Sequence, residues 1–490
     1  MDEVQQQTVG VSYAPCPPEE FCGRVEERER LGAMLAGAGE RGQAVMISGP
    51  PGIGKSSLVN RLAYDVRELP GGLQSPVLRA EVFDLPGMIF SAFRGLVGDL
   101  ARCAASGRFK ETLDHEGIRE AIRYADDVLE KYAAPVEPVG LLSKSGEEVI
   151  GIFARSPEVG YDRVRQAFLE LLRELGRRAS GTGRVAAVLL EDVHLASALD
   201  RRLLGDIAHD LPAGILLAFT CRTGDGAGRF EEIGAPDLVE LPLQGMRGDE
   251  IRELARRRFG LAIDEAAADL LEAASSDPFS LMACFNALRR RDLAPTAETI
   301  ADLLAGAPDP AALAFATLSG PYCAWAENLC VLHPPFPVPV MACMLDPEGT
   351  GPALVTERLQ ESGIFRRLPG GEYAFAHPLL QEHCRHALSA DAKIALNARA
   401  AGCFERSMHR LSGRLHVLLS LACHFFHARD HAKAADLNLE LGLRFYHRED
   451  YGTALVMTER AVASAEHLGD DALLSAARRQ QDLVRRKAGR

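Results

Sequence analysis

The chain lacks any apolar run longer than a strand. Its most continuous stretches, such as Val185–Leu190, are too short to cross a bilayer, so no membrane span is expected. Met1-Asp2-Glu3 is not a basic region leading into an apolar one, so no secretory leader is expected either. Positive charge is in deficit. With 55 Lys and Arg against 68 Asp and Glu the net charge is −13, and the whole chain has no electrostatic footprint for nucleic acid. Cysteines paired as C-x-x-C are missing too. The 11 cysteines are an odd number and stand singly, as small buried residues of a reducing, cytoplasmic protein do, rather than as a disulfide frame. What remains is an ordinary soluble composition, 47% hydrophobic and 25% charged. Its 490 residues have room for about three domains with separate cores.

One stretch organises the rest. Gly49-Pro50-Pro51-Gly52-Ile53-Gly54-Lys55-Ser56-Ser57 fits G-x-x-x-x-G-K-[ST], the phosphate-binding loop. The glycines let successive backbone N–H groups curl round a triphosphate with no Cβ in the way. Lys55 is placed to reach the β- and γ-phosphates, and the Ser56 hydroxyl to ligate Mg²⁺. The flanks agree with the motif. Residues 43–48 read as a buried strand entering the loop. Leu58, Leu62, Ala63 and Val66 then recur at helical spacing, so the phosphates would lie at a helix N-terminus.

Further strands are expected at residues 76–83, 185–190, 214–222 and 238–243, with helices between them, which predicts a five-stranded parallel α/β sheet. The apolar strand at 185–190 ends in Glu191-Asp192. A central parallel strand delivers such carboxylates to the edge where ligands bind. One would hold Mg²⁺ directly or through water, and the other would orient or deprotonate the attacking water. The neighbouring strand ends in Thr220-Cys221-Arg222. Thr220 and Arg222 are both candidates to sense the γ-phosphate, with Arg222 preferred because a guanidinium suits phosphate oxygens.

The second half of the chain changes character. Helices are expected through residues 249–304, with Asp277-Pro278 opening one of them. The run Arg256–Arg258 reads as a solvated helix end and is the only visible candidate for an intersubunit arginine finger. Residues 366–375 read as two strands about a Gly-Gly turn, and His377-Pro378 opens a helix after them. From about residue 391 all is helical. Leu441-Gly442, Phe445, Ala454 and Ala461 fit the positions of a tetratricopeptide repeat, and stacked helical hairpins make a binding surface. His424, His427 and His431 fall at helical spacing and are expected on a solvated helix face.

Phe21-Cys22-Gly23-Arg24, ahead of the loop, resembles the F-x-G-R-E box of STAND-class P-loop ATPases. Pro278 resembles the proline of the G-N-P-F element in their lid, here with Ser276 and Asp277 in place of Gly and Asn. His377 resembles the histidine of F-x-H-x-L in their winged-helix domain. With the phosphate loop, Glu191-Asp192, Arg222 and the C-terminal hairpins, these cover most of the chain in family order. The chain is thus similar to STAND ATPases of the AAA-16 type, such as the ATP-sensing part of large LuxR-type bacterial regulators. The family's D-D-x-x-W-x-D run is here Glu191 to Ser197, without the Trp and the last Asp.

The resemblance implies a flexible arm over 1–19, a nucleotide-binding domain over 20–245, a helical lid over 246–306, a winged-helix domain over 307–390 and TPR-like hairpins over 391–490. It implies that Gly23, Arg24, Pro278 and His377 join the phosphate loop in holding ATP or ADP with Mg²⁺. It also implies a slow ATPase that works as a switch, closed with ADP and open with ATP. Such a switch would regulate transcription or another effector through a protein partner or small effector at the repeats, with nucleotide-dependent homo-oligomers. Two alternatives stay open at this point: a fast AAA-like remodeller, and a nucleotide-dependent binding module without hydrolysis. No DNA-reading segment is visible in the chain.

Overall fold

The computed structural model describes residues 21–68, 75–82, 91–105, 116–133, 157–181, 183–223, 238–307, 309–316, 320–345, 364–368, 372–408, 415–447 and 451–488. The expected arm at 1–19 and the Gly-Gly turn at 370–371 lie outside these residues. The first part alternates helix and strand: α1 (Val25–Gly37), β1 (Gln43–Gly49), α2 (Lys55–Arg67), β2 (Val77–Glu81), α3 (Ser91–Ala105), α4 (Glu116–Ala133), α5 (Pro157–Gly181), β3 (Ala186–Glu191), α6 (Ala198–His209), β4 (Ile215–Arg222) and β5 (Val239–Pro242). The strands form one five-stranded sheet in the order β2-β3-β4-β1-β5, and each neighbouring pair in it is parallel.

Strand residues alternate between two cores, so the strands read as unbroken apolar runs. Val45, Ile47, Leu189, Leu216 and Ala218 pack with Leu31, Leu35, Leu58 and Leu62 of α1 and α2 on one face. Met46, Leu78, Val188, Leu217 and Phe219 pack with Phe93, Ile118, Phe168 and Leu203 on the other. Each fully buried side chain of this kind contributes roughly 1.5–3 kcal/mol.

The second part is helical: α7 (Gly248–Leu254), which runs into a wider turn at Ala255–Phe259, then α8 (Glu265–Ser275), α9 (Pro278–Arg290), α10 (Ala297–Ala305), α11 (Pro310–Ala316), α12 (Gly320–Leu329) and α13 (Val338–Leu345). The antiparallel hairpin β6 (Phe365–Arg367) and β7 (Tyr373–Phe375) follows, then α14 (Pro378–Ala387). Last come α15 (Ala390–Ser407), α16 (Leu415–His427), α17 (His431–His447), α18 (Tyr451–Leu468) and α19 (Asp471–Ala488). One continuous core joins the helices after the sheet to the hairpin and to α15 and α16, from Met246 through Phe285, Phe336, Phe375 and Phe404 to Phe425. A smaller core of Leu441, Phe445, Ala454, Met457 and Val484 holds the last helices. Here Gly442 has a steric role: a Cβ would lie 2.9 Å from Thr458 Cγ2 and 3.5 Å from Met457 Cβ, so glycine lets α17 and α18 approach.

Two expectations are corrected here. Cys343 on α13 and Cys403 on α15 form a disulfide, their Cα atoms 5.7 Å apart where the two helices face each other, within the normal reach of such a bridge. Cys221, Cys284, Cys330 and Cys384 are buried thiols outside any disulfide, as expected. His424 is fully buried rather than solvated. It shares the stripe of Val417 and Leu421 that α16 turns into the core, and the ring nitrogen Nδ1 lies 2.8 Å from Asn397 Oδ1. Among the described residues no group of three or more His, Cys, Asp or Glu could hold a metal ion.

Candidate functional site

β1 ends at Gly49 and α2 starts at Lys55, with the phosphate loop between them. Gly52 and Gly54 have φ of 83° and 94°, the left-handed conformation that favours glycine. Gly54 is the N-cap of α2 and brings no side-chain oxygen to its first turn, so those N–H groups face the loop. Lys55 folds back over the loop and donates to the carbonyls of Gly49 and Pro50, both at 2.8 Å. Burial lowers its pKa to about 8, with Asp192 pulling the other way.

The parallel register gathers the charged strand ends on one edge. Glu81 stands beside Glu191, and Gly49 beside Arg222. Glu191 is buried and held by Arg79 of β2, whose Nε donates at 2.7 Å and whose Nη2 makes a second, shorter contact. Arg79 Nη1 also donates to Asn60 Oδ1 at 2.5 Å. Asp192 follows in a left-handed turn, φ 56°, and its N–H donates to Thr220 Oγ1 at 2.9 Å. Thr220 is thus turned onto the acidic turn, whereas Arg222 lines the pocket. Burial raises the Asp192 carboxyl's pKa and neighbouring Glu191 adds to that, while Arg222 and Lys55 oppose it.

The helical half closes the opposite wall. Asp277 caps α9, accepting from Ser280 N at 2.9 Å, so Pro278 and Phe279 start the helix directly against the loop. Phe279 N donates to Gly52 O at 3.3 Å. A Cβ on Gly52 would lie 2.7 Å from Asp277 Oδ1 and 3.2 Å from Phe279 Cβ. Gly52→Ala is therefore expected to push the loop and α9 apart and weaken nucleotide binding at least tenfold in a fluorescence titration. Unchanged affinity would mean that this contact is not needed.

Behind the loop, Arg24 Nη2 donates to Ile53 O at 2.9 Å and its backbone N–H to Glu250 Oε1 of α7 at 2.8 Å. Arg24 thus braces the loop at Ile53. Gly23, Arg24, Gly49, Pro50 and Ile53 do not line the pocket, while Pro51, Gly52, Gly54, Lys55, Ser56 and Ser57 do.

His377, directly after β7, caps α14. Its Nδ1 accepts from Leu379 N at 3.3 Å, so the neutral ring carries its proton on Nε2. The ring stacks on Phe279, centroids 4.1 Å apart, and burial lowers its pKa to about 3, with Arg222 and Lys55 adding to that. Pro278, His377, Lys55, Ser56, Glu191, Asp192 and Arg222, drawn from the length of the chain, line one pocket.

Arg79, Glu81, Arg258, Phe279, Met282 and Arg366 line it as well. Sequence reasoning missed these roles. Arg79 and Glu81 left a signal, two charges at alternate positions of an otherwise buried strand. Of the expected solvated helix end, Arg256 and Arg257 are exposed, whereas Arg258, in the wide turn after α7, is half-buried and lines the pocket. The donor set fits a hard divalent cation, since Ser56 brings a hydroxyl and Glu191 and Asp192 bring carboxylates whose mutual repulsion a cation would relieve.

Residues 20–219 match the family model described as AAA ATPase domain, AAA_16. Over these residues the chain is similar to AAA ATPase domains. Curated proteins that resemble it include the Holliday junction branch migration complex subunit RuvB of Corynebacterium diphtheriae, 33% identical over 90 residues, which are 18% of this chain and 25% of that one. RuvB of Borrelia garinii subsp. bavariensis is 33% identical over 81 residues, 16% of this chain and 22% of that one. Thus the chain spans about a quarter of the length of these relatives. Among solved structures, a Signal Transduction ATPase with Numerous Domains (STAND) protein with a tetratricopeptide repeat sensor from Pyrococcus horikoshii superposes on 98% of this chain and 66% of its own, at 12% identity and a TM-score of 0.46. A Thermotoga maritima RuvB mutant covers 77% of this chain and 100% of its own, at 13% identity and a TM-score of 0.32. Superpositions at such scores carry no functional argument. Among the described residues, no helix is long and apolar enough to cross a membrane.

Proposed function

We propose that the AAA ATPase domain binds ATP and ADP with Mg²⁺, hydrolyses ATP slowly, and works as a STAND-class switch that is closed with ADP and open with ATP. The observation that carries this reading is the origin of the pocket wall. The phosphate loop, the start of α9 and the segment from β6 to His377 all line one cavity, so a nucleotide there would touch the nucleotide-binding domain, the lid and the winged-helix domain together. A ligand shifts a conformational equilibrium only through its different affinity for the two states, and a site shared by moving parts supplies that difference.

In this reading the loop amides and Lys55 hold the phosphates, and Ser56 with Glu191 and Asp192 holds Mg²⁺. The cation, when bound, neutralises charge that develops on the phosphate oxygens. One of the two carboxylates would reach the cation directly or through water, and the other would orient and deprotonate the attacking water. Glu191 is held in place by Arg79, and Arg222 steadies the terminal phosphate. His377 donates from Nε2 to a phosphate oxygen in the closed form. The position of Arg258 inside its own pocket favours the switch over a remodeller whose arginine acts on a neighbouring subunit.

The helical repeats are the surface through which a protein partner or small effector would regulate transcription or another output, with homo-oligomers forming in the ATP state. The test is to denature the purified protein and identify the released nucleotide by chromatography. Stoichiometric ADP is expected, and turnover of added ATP slower than about one per minute. A chain that arrives empty and turns over many ATP per second is a motor, and the switch reading fails.

A further inference from the structure

The hairpin is tied to the sheet at a point unrelated to the phosphate loop. Arg366 of β6 donates to Glu81 Oε1 at the end of β2, across 285 residues of chain. Both side chains are largely buried, with 15% and 8% of their surface exposed. Both also face the pocket. Glu81 is only half satisfied, since its Oε2 is buried with no hydrogen-bond partner. It stands in register with Glu191, and Asp192 follows next in the chain. Arg79, on the same strand as Glu81, is committed to Glu191 and Asn60. The countercharge for Glu81 therefore comes from the hairpin. The hairpin is also one unit with His377: Arg366 pairs with Ala374, Ala376 N donates to Ile364 O at 2.6 Å, and His377 is the next residue.

We propose that Arg366 is a further phosphate-contacting residue and that Glu81 is its built-in competitor, so that the pair latches the hairpin over the pocket until a nucleotide's terminal phosphate draws the arginine away. The inference rests on the nucleotide-switch reading and adds to it a contact that distinguishes the two nucleotides. A guanidinium fork suits phosphate oxygens as well as a carboxylate, so the two acceptors compete for the same donors. When Arg366 leaves, Glu81 stays buried beside two other acids with no countercharge, and the closed arrangement loses stability. A diphosphate that stops short of Arg366 leaves the latch shut. Because His377 moves with the hairpin, release of Arg366 also loosens the contact of His377 with the nucleotide.

The experiment uses the full chain as wild type, Glu81→Gln, Arg366→Gln and the double variant. Two readouts are taken: hydrogen exchange of the amides at 364–368 and 373–377 without added nucleotide, and the release rate of a fluorescent ADP in stopped flow. Each single variant is expected to speed exchange in the hairpin and ADP release by tenfold or more. The double variant is expected to do no more than the stronger single, because both remove one contact. Should Arg366→Gln fail to fold, the near-isosteric Glu81→Gln carries the test alone. Unchanged hairpin exchange in Glu81→Gln, or effects that multiply in the double variant, overturns the latch. A changed hairpin with no ADP bound by the wild type keeps the latch and removes the phosphate role, along with the switch reading on which that role rests.

Discussion

Lys55→Ala is expected to abolish nucleotide binding while the protein remains folded. The ammonium of Lys55 is placed to make charge-assisted hydrogen bonds to the phosphates, each worth about 1.5–3 kcal/mol. Loss of two such bonds weakens affinity by roughly a hundredfold or more. Folding loses little. Lys55 is buried at a cost that lowers its pKa to about 8, and in the free protein it satisfies only the carbonyls of Gly49 and Pro50. Titration calorimetry with Mg-ATP measures the first expectation and thermal denaturation the second, with melting within a few degrees of wild type. Wild-type affinity in the variant would remove the phosphate loop from the site.

Mild acid is expected to destabilise the junction between the hairpin region and the repeats. His333 precedes β6 and β7 in the chain, and its pKa is lowered by burial to about 4. The pKa of His424 on α16 is lowered well below the ordinary value by the same cause. Their rings lie 5.9 Å apart, so protonation of one also disfavours the other. The sign follows from proton uptake: below the ordinary histidine pKa of about 6.5 the unfolded chain binds protons that the folded chain refuses. Stability is therefore complete above about pH 6.5 and falls as pH drops toward the folded values. Well below pH 6.5 each histidine contributes a slope approaching about 1.4 kcal/mol per pH unit, so the pair removes roughly 3 kcal/mol between pH 6.5 and 5. His377, whose pKa is near 3, acts in the same direction. Urea denaturation at pH 7, 6 and 5 measures the slope. His424→Phe, which places another ring against Phe404, should reduce it by about one proton. An equal slope in both proteins would mean that His424 takes up its proton while still folded.

Much of this molecule was legible in its sequence where neighbours along the chain decide the outcome. The phosphate loop is contiguous, so its glycines, Lys55 and the start of α2 could be read together. The central strands β1, β3 and β4 showed as apolar runs because the middle of a parallel sheet is covered on both faces. Asp277-Pro278 marked a helix start by its own chemistry, an N-cap and an N1 proline. Contacts set by distant packing left weaker traces. Nothing near Arg366 says that it meets Glu81, because the pair is made by docking a hairpin onto a strand end 285 residues away. His424 looked like one of several surface histidines, yet α16 turns its Val417 and Leu421 stripe, and the histidine with it, inward. The cysteines misled for the same reason, since Cys343 and Cys403 are brought together only by the packing of α13 on α15. Thr220 and Arg222 were both candidates in sequence, with Arg222 preferred for its guanidinium; in the fold Thr220 accepts from Asp192 N while Arg222 lines the pocket.

The core that runs unbroken from the first helix after the sheet to α16 has a mechanical consequence. Side chains packed at such density resist sliding, so in the proposed switch the hairpin, α14 and the first repeat helices would turn together about the sheet edge. Over a span the length of the 18-residue helix α15, about 27 Å, a tilt of about 10° would amount to a displacement of roughly 5 Å. A displacement too small to open the pocket to solvent is thereby magnified into one large enough to break or make a contact with another molecule.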